Sequence, residues 1–164
     1  SSPAKILAYF DQNTGCIYLS CPVSDIRLNP QSYYLFNNMD GLTYIDMTPF
    51  QTSDLVNASG MFSNCDNLTG LNLSRMDTSN VTSMTRMFAD CKNLTSLDLS
   101  SFNTGKVRYM YEMFSNDKKL TTINYGTHFV YTESRDTGFI FYQCPANKPD
   151  WPGTWTPRGD FVPS

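Results

Sequence analysis

Apolar residues recur along this chain with a fixed period of 26 residues. Each copy opens with a large aliphatic residue followed by phenylalanine. The copies begin at Leu35, Met61, Met87 and Met113, and a partial fifth copy begins one residue late at Ile140. Such a period is typical of an array in which each repeat contacts only its neighbours and all repeats share one hydrophobic core.

Equivalent positions in successive copies form apolar columns, which we expect to fill this core. The columns are Leu42, Leu68, Leu94 and Leu120; Ile45, Leu71, Leu97 and Ile123; Met47, Leu73, Leu99 and Tyr125; Phe50, Met76 and Phe102; and Leu55, Val81 and Val107. A unit of 26 residues cannot bury its apolar face alone. The columns are therefore predicted to pack against one another in a stack of repeats.

Two apolar periods within a copy predict one strand and one helix. Leu97-Asp98-Leu99 alternates apolar and polar residues, as a half-buried strand does. Later apolar residues recur at three- and four-residue steps, the spacing of one helix face: Val81, Met84, Met87, Phe88, Cys91 and Leu94. We therefore predict an α/β fold, a short right-handed leucine-rich-repeat-like solenoid with one strand and one short helix per repeat.

The pattern divides the chain into three parts. Residues 1–34 contain two apolar runs, 5–10 and 16–20, separated by turn residues, and are predicted to form an N-terminal β-hairpin cap. Residues 35–144 are the array of four copies and a partial fifth. Residues 145–164 hold five of the nine prolines, which favours an irregular capping tail or linker.

The middle repeats resemble those of a family of bacterial surface proteins. MFADCKNLTSLDLSSFNTGKV is similar to the MFxxCxxLxxLDLSxFDTSxVxxM repeat of BspA-like proteins, which is also found in mycoplasma lipoproteins. The resemblance covers residues 35–155, although Asp117 replaces the motif cysteine in the fourth copy. It implies a secreted or cell-surface bacterial protein whose repeats mediate adhesion or contact with a host or neighbouring cell.

Composition narrows the possible partners. Only 16% of residues are charged and the net charge is −3, without a block of like charges, so no nucleic acid or anionic membrane is expected as a partner. No run approaches the roughly 18 to 20 apolar residues that span a bilayer, so we expect no direct membrane insertion. The five cysteines form no CxxC pair and His128 is the only histidine, so neither metal nor cofactor is expected.

No enzymatic activity is expected. His128 lies in the irregular fourth copy, without an adjacent nucleophile and orienting group. Asp46 and Asp98 occupy equivalent strand positions two repeats apart, about 9.6 Å, close to the carboxylate separation of inverting glycosidases. However, an open strand face rich in threonine and asparagine has no apolar pocket to raise the pKa of one carboxylate. A hydrogen-bonded Asp/Asn ladder is the favoured interpretation.

The ligand-binding candidates lie on the strand face and among aromatic residues outside the core columns. They are Tyr44, Asp46, Asn72, Asp98, Asn124, Tyr142, Trp151 and Trp155, with Tyr109, Tyr111 and Tyr131 as further aromatic candidates. Trp151 and Trp155 flank a proline-stiffened segment. Two interpretations stay open for them: their rings stack on a sugar or a partner, or they cover the last coil.

The cysteines also leave two interpretations open. Cys65 and Cys91 lie one repeat apart, at a strand-like spacing of about 5 Å that permits a disulfide. Small buried thiols that pack as apolar groups are the alternative, and Cys144 is expected to join the same column.

The resemblance to BspA-like repeats, with no catalytic set in the sequence, implies a non-enzymatic bacterial protein at the cell surface or secreted, which mediates protein–protein contact or adhesion. The expected partner is a protein of a host or neighbouring cell, or a glycan. A structural spacer within a larger surface protein, or a carbohydrate-binding module that uses the tail tryptophans, are the alternatives.

Overall fold

A computed structural model describes residues 26–132 and 136–164, together with the backbone of residues 7–11 and 16–20. Within these ranges the regular structure consists of ten short strands and no helix. The strands are β1 Leu7–Asp11, β2 Cys16–Ser20, β3 Ile26–Arg27, β4 Tyr44–Asp46, β5 Phe50–Gln51, β6 Gly70–Asn72, β7 Ser96–Leu99, β8 Thr122–Tyr125, β9 Gly153–Trp155 and β10 Phe161–Pro163.

Strands of successive repeats pair in parallel, with residues 26 positions apart opposite one another. β4 pairs with β6 and β7 pairs with β8, with Tyr44 opposite Gly70 and Ser96 opposite Thr122. β1 and β2 form an antiparallel pair, and β2 continues the sheet beside β4. β3 pairs with β5 in parallel, and β9 pairs with β10 in antiparallel fashion. Equivalent residues of successive repeats therefore lie side by side.

The predicted helix of each repeat, and with it the predicted α/β leucine-rich-repeat solenoid, is wrong. The segments expected to be helical are hydrogen-bonded turns, which stack on one another at residues 31–38, 57–64, 83–90, 109–116 and 136–143; we call this stack the turn ladder. Alternate amides donate to carbonyl groups of the following segment, as Phe62 does to Met87 over 2.9 Å. Bonds between residues three apart, such as Met61 N to Ala58 O, close each turn.

Left-handed residues explain why these segments are not helices. Gly60 and Asn64 have φ angles of 59° and 56°. The equivalent residues of the other segments also have positive φ: Tyr34, Asn38, Arg86, Asp90, Glu112, Asn116, Phe139 and Gln143. A left-handed residue cannot continue a right-handed helix, and it costs roughly 1 to 2 kcal/mol for a residue other than glycine. Consecutive tight turns return side chains to one face every three to four residues, so their apolar spacing imitates that of a helix.

The residues of the core columns predicted from the period are buried, except Leu71 and Tyr125, which are partly buried against the core. Leu68, Leu94 and Leu120 are fully buried, and Leu42 is nearly so. Beside them runs a stack of phenylalanine rings, one from each repeat. Ring centroids are 5.7 Å apart for Phe36 and Phe62, 5.6 Å for Phe62 and Phe88, 5.7 Å for Phe88 and Phe114, and 5.1 Å for Phe114 and Phe141. Each stacked pair contributes about 0.5 to 1.5 kcal/mol beyond the burial of its area.

At both ends of the stack, particular residues replace, or remove the need for, hydrogen bonds that a further repeat would make. Thr82 N donates to Val56 O one repeat earlier, and Val56 N donates in the same way to Pro30 O, just ahead of the first repeat. Pro30 has no N–H and so leaves no unpaired donor at this end of the stack. At the other end, the Asn147 carboxamide accepts from Ile123 N over 2.7 Å and donates to Ile123 O over 2.9 Å, which closes the edge of β8.

The tail also closes the turn ladder. Phe141 N donates to Gly159 O over 3.1 Å, and Phe139 N donates to the Asp160 carboxylate over 2.6 Å. As for the membrane, the described part of the chain contains no helix that is long and apolar enough to cross one.

Candidate ligand-binding surfaces

Five of the predicted site residues lie together on the outward face of the strands. Tyr44 and Asp46 belong to β4, and Asn72 ends β6 opposite Asp46. Asp98 in β7 pairs with Asn124 in β8. All five are exposed or half-buried, as the alternation of apolar and polar residues predicts.

The acidic and amide groups of this face already have backbone partners. Asp46 Oδ1 accepts a 2.9 Å bond from Thr48 N, and Asn72 Oδ1 accepts from Ser74 N over 3.2 Å. In both cases the side chain bonds the amide two residues on and closes the turn that follows the strand. The side chains of Asp46 and Asn72 therefore stabilise the turns that follow the strands.

Asp98 repeats this arrangement and adds a bond between repeats. Its Oδ1 accepts from Ser100 N over 2.9 Å and from Asn124 Nδ2 over 3.1 Å. Hydrogen bonds from the Ser100 side chain and backbone, and then from Asn124, lower the pKa of Asp98. The carboxylate is therefore held ionised, which is the opposite of what a general acid requires.

Tyr44 is the aromatic residue of this face, with 42% of its surface exposed. Its ring lies over Gly70 of the next repeat, where an added Cβ would come within 2.8 Å of the ring carbon Cδ2. The glycine thus makes room for a tyrosine that rests on the backbone.

The tail tryptophans belong to an aromatic cluster that covers the last repeat. Trp151 is only 7% exposed, and its ring stacks on Phe129 at 5.8 Å and on Trp155 at 5.5 Å. Its indole N–H donates to Phe129 O over 3.2 Å. Trp155 also packs against Phe141 and Phe161, at 5.1 and 5.0 Å, but keeps part of its surface accessible. Trp151 therefore has almost no surface left for a ligand.

The turn ladder carries most of the large exposed apolar side chains found in the described part of the chain. Tyr109 is 56% exposed and Tyr142 38%. Tyr33, Tyr34 and Leu35 are exposed at the other end of the ladder. The sequence singled out Tyr109 and Tyr142 because they lie outside the core columns. Leu35 was missed because its equivalents in later repeats are buried; exposure at an end segment is the signal that could have found it.

Near Tyr142 the turn ladder and the tail enclose an aromatic cleft of about 480 Å³, lined by Tyr111, Glu112, Phe139, Tyr142 and Arg158. The Phe139 ring meets the other two edge-to-face, at 5.9 Å from Tyr111 and 5.8 Å from Tyr142. Such contacts fix the rings relative to one another.

Charged groups flank these rings. Arg86 forms ion pairs with Glu112 and with Asp90, the latter at 2.8 Å. A hydrogen bond with the Glu112 side chain raises the pKa of Tyr111. Within the described ranges, no carboxylate forms an ion pair with Arg158.

The cysteines of the repeat column are free buried thiols, so no disulfide joins Cys65 to Cys91. Cys65 Sγ contacts Phe36 O at 3.0 Å and Cys91 Sγ contacts Phe62 O at 3.1 Å. Burial raises the pKa of Cys65 to about 11 and that of Cys144 to about 12. Nowhere in the described ranges do three or more His, Cys, Asp or Glu side chains group as they would around a metal.

A family model described as "Mycoplasma protein of unknown function, DUF285" matches residues 31–155. The chain belongs to the DUF285 family. No curated protein and no solved structure shows a significant match to this DUF285 chain. The matched residues include the whole turn ladder, whereas Arg158 of the aromatic cleft lies beyond them.

Proposed function

We propose that this DUF285 chain is a non-enzymatic bacterial surface protein that binds another protein through its turn ladder. The exposed tyrosines of that surface, above all Tyr109 and Tyr142, carry the proposal. Tyrosine is enriched among the residues that dominate binding energy at protein interfaces. It offers a large apolar ring and a hydroxyl group while it loses little side-chain freedom on binding.

The aromatic cleft supplies the pocket that such an interface needs at its centre. Its rings are held by one another and by a backbone whose amides are bonded from repeat to repeat. A partner side chain that enters it meets a surface that is already ordered, which lowers the entropic cost of binding.

The sequence of the repeats supports a position at the cell surface. Their resemblance to the repeats of BspA-like proteins favours contact with a protein of a host or neighbouring cell. The proposal invokes no catalysis, since the strand-face carboxylates Asp46 and Asp98 close turns of the fold.

To test this proposal, binding of the purified chain to a panel of immobilised extracellular-matrix proteins is measured. Saturable binding to at least one of them is expected. Tyr109→Ser and Tyr142→Ser should each weaken it about tenfold or more, as loss of an interface tyrosine does. Tyr44→Ser is the matched control, because this tyrosine is similarly exposed but lies on the strand face.

Two outcomes would overturn the proposal. If Tyr44→Ser weakens binding and the turn-ladder variants do not, the strand face is the interface. If no protein of the panel binds saturably, the chain is better explained as a structural spacer.

A further inference from the structure

An open depression of about 830 Å³ lies at the C-terminal end of the stack, between the last repeat and the tail. Lysine, amide and aromatic side chains line it together: Lys118, Phe141, Gln143, Lys148 and Trp155. This combination differs from that of the aromatic cleft, whose rings lie beside Glu112 and Arg158.

Lysines extend beyond the depression along the same edge. Lys118 also lines a neighbouring depression of about 450 Å³ with Lys92 and Lys119. Asp90 lines this second depression as well, but its carboxylate is paired with Arg86 at 2.8 Å. Four lysines, counting Lys148, therefore lie along one edge of a chain whose net charge is −3.

Little of this positive charge is neutralised by the protein itself. Lys92 forms a 2.6 Å ion pair with Asp66. Lys119 and Lys148 bond neutral oxygens instead, the Asn93 side chain at 2.6 Å and Ala146 O at 3.0 Å. In the part of the chain that the structure describes, no carboxylate pairs with Lys118, Lys119 or Lys148. The edge is thus complementary to an anion.

The wall of the larger depression adds the partly accessible ring of Trp155 to this charge, whereas the Phe141 ring behind it is only 3% exposed. Lys148 Nζ lies 5.0 Å from the centroid of Phe141, and Trp155 is partly accessible beside it. Aromatic rings provide the flat apolar surface on which the C–H face of a sugar packs, while lysines pair with its charged substituents. We propose that this depression binds an acidic glycan, an oligosaccharide that carries sulfate or carboxylate groups.

Other polyanions fit the edge less well. A nucleic acid needs a long cationic stripe to neutralise successive phosphates, whereas the charge here is confined to one end of a net negative protein. A peptide of Asp and Glu residues brings no ring to place against Trp155. A short oligosaccharide, in contrast, suits a depression within the usual size of small-ligand sites.

Titration of the intact chain with a sulfated heparin tetrasaccharide tests the proposal. The probe for comparison is the same tetrasaccharide after desulfation, N-acetylation of the freed amines and carboxyl reduction, which removes its charge and keeps its rings. Tryptophan fluorescence and NMR shifts near Trp155 report binding. We expect saturable binding of the sulfated form, weakened by salt, and at least about tenfold weaker binding of the neutral form.

Variants locate the site. Lys118→Gln and Lys148→Gln should each reduce affinity for the sulfated probe about fivefold, as loss of one lysine near a polyanion does. Lys106→Gln is the matched control, because this exposed lysine bonds Asn80 and lines neither depression. Tyr109 lines neither depression, so Tyr109→Ser should leave glycan binding unchanged while it weakens the proposed protein interface. The two proposals are thereby tested independently.

Three results would overturn the proposal. Equal affinity for the charged and neutral probes would remove the role of the lysines. An equal effect of Lys106→Gln would show diffuse attraction without a site. Tighter binding of a hexaglutamate peptide than of the sulfated probe would assign the edge to acidic proteins.

Discussion

The backbone amide of Cys91 donates a 2.7 Å hydrogen bond to Oδ1 of Asp117, the residue one repeat further on. The Asp117 side chain is fully buried, and its second oxygen, Oδ2, has no hydrogen-bond partner. Desolvation is the main reason why the pKa of Asp117 is raised well above its usual value. The native protein therefore holds the Asp117 proton to higher pH than a solvent-exposed carboxyl group would, at a position that is cysteine in the second and third copies.

This arrangement predicts that the folded protein loses stability as the pH rises. The unfolded chain releases the Asp117 proton near the ordinary pKa of about 3.9, while the native state retains it to higher pH. The contribution of Asp117 is fully present below that value and is lost as the pH rises toward the native pKa. Asp117→Asn keeps the oxygen acceptor and cannot ionise. We expect it to exceed the parent in stability by about 2 kcal/mol at neutral pH.

Urea unfolding of both proteins between about pH 4 and pH 7 measures this effect below the range in which free thiols ionise. The difference between variant and parent should grow with pH. A constant difference across the range would show that the Asp117 carboxyl is ionised in the native state, contrary to this prediction.

Substitutions at Asn64 distinguish a turn ladder from a helix. Asn64 has a φ of 56°, which glycine adopts without strain and alanine does not. Asn64→Gly should therefore be more stable than Asn64→Ala by about 1 kcal/mol. In a helix the order would be reversed, because glycine costs about 1 kcal/mol relative to alanine there. Thermal unfolding of the two variants measures the order, and greater stability of Asn64→Ala would contradict the described backbone.

An added methyl group should be tolerated at Gly70 but not at Gly126. At Gly126 a Cβ would collide with the backbone of Ser100, including its carbonyl carbon at 2.8 Å, and a backbone neighbour cannot move aside cheaply. At Gly70 the Cβ would meet the ring of exposed Tyr44, which can rotate away. We expect Gly126→Ala to cost about 3 kcal/mol and Gly70→Ala less than about 1 kcal/mol. The urea midpoints of the two variants measure these costs. Equal costs would contradict the described packing around Gly126 and Gly70.

The buried thiols should resist chemical modification in the folded protein. Cys65, Cys91 and Cys144 are buried and unpaired, and burial raises the pKa of each thiol, so little reactive thiolate forms. In a Cys16→Ser, Cys21→Ser background, we expect these three to react with Ellman's reagent at pH 8 at least about 100-fold more slowly than in denaturant. The released chromophore gives the rate. Prompt modification of the native protein would place the thiols at the surface.

Particular residues show how far the sequence predicts this fold. The alignment of Leu68, Leu94 and Leu120 could be read directly, because every copy buries the same position at the same spacing. The predicted helix was wrong because Val81 and Met84 follow a spacing that helices and stacked turns share. The column that contains Asn64, Asp90 and Asn116 could have indicated turns instead of a helix, because Asn and Asp tolerate left-handed conformations better than most residues.

The candidate sites were predictable to different degrees. Alternation along the strands places Asp46 and Asp98 on the outward face, as predicted, while their partners in the following turns could not be read from the strand pattern. The cleft between Tyr111 and Phe139 depends on the directions of side chains on irregular turns, which hydrophobic periodicity does not encode. Whether either surface binds a ligand stays a prediction.

Past the first residue of each segment, the amides of the turn ladder that bond between segments all donate to the following segment, which makes the two faces of the ladder chemically unequal. The first segment offers carbonyl oxygens, and the last offers amides, which Gly159 and Asp160 occupy. Two such chains could therefore polymerise only in one orientation, and only after residues 156–160 were displaced. Gly159 and Asp160 thus take the hydrogen-bonding positions that a further segment would occupy, so the last amides of the ladder are bonded by residues that belong to no repeat.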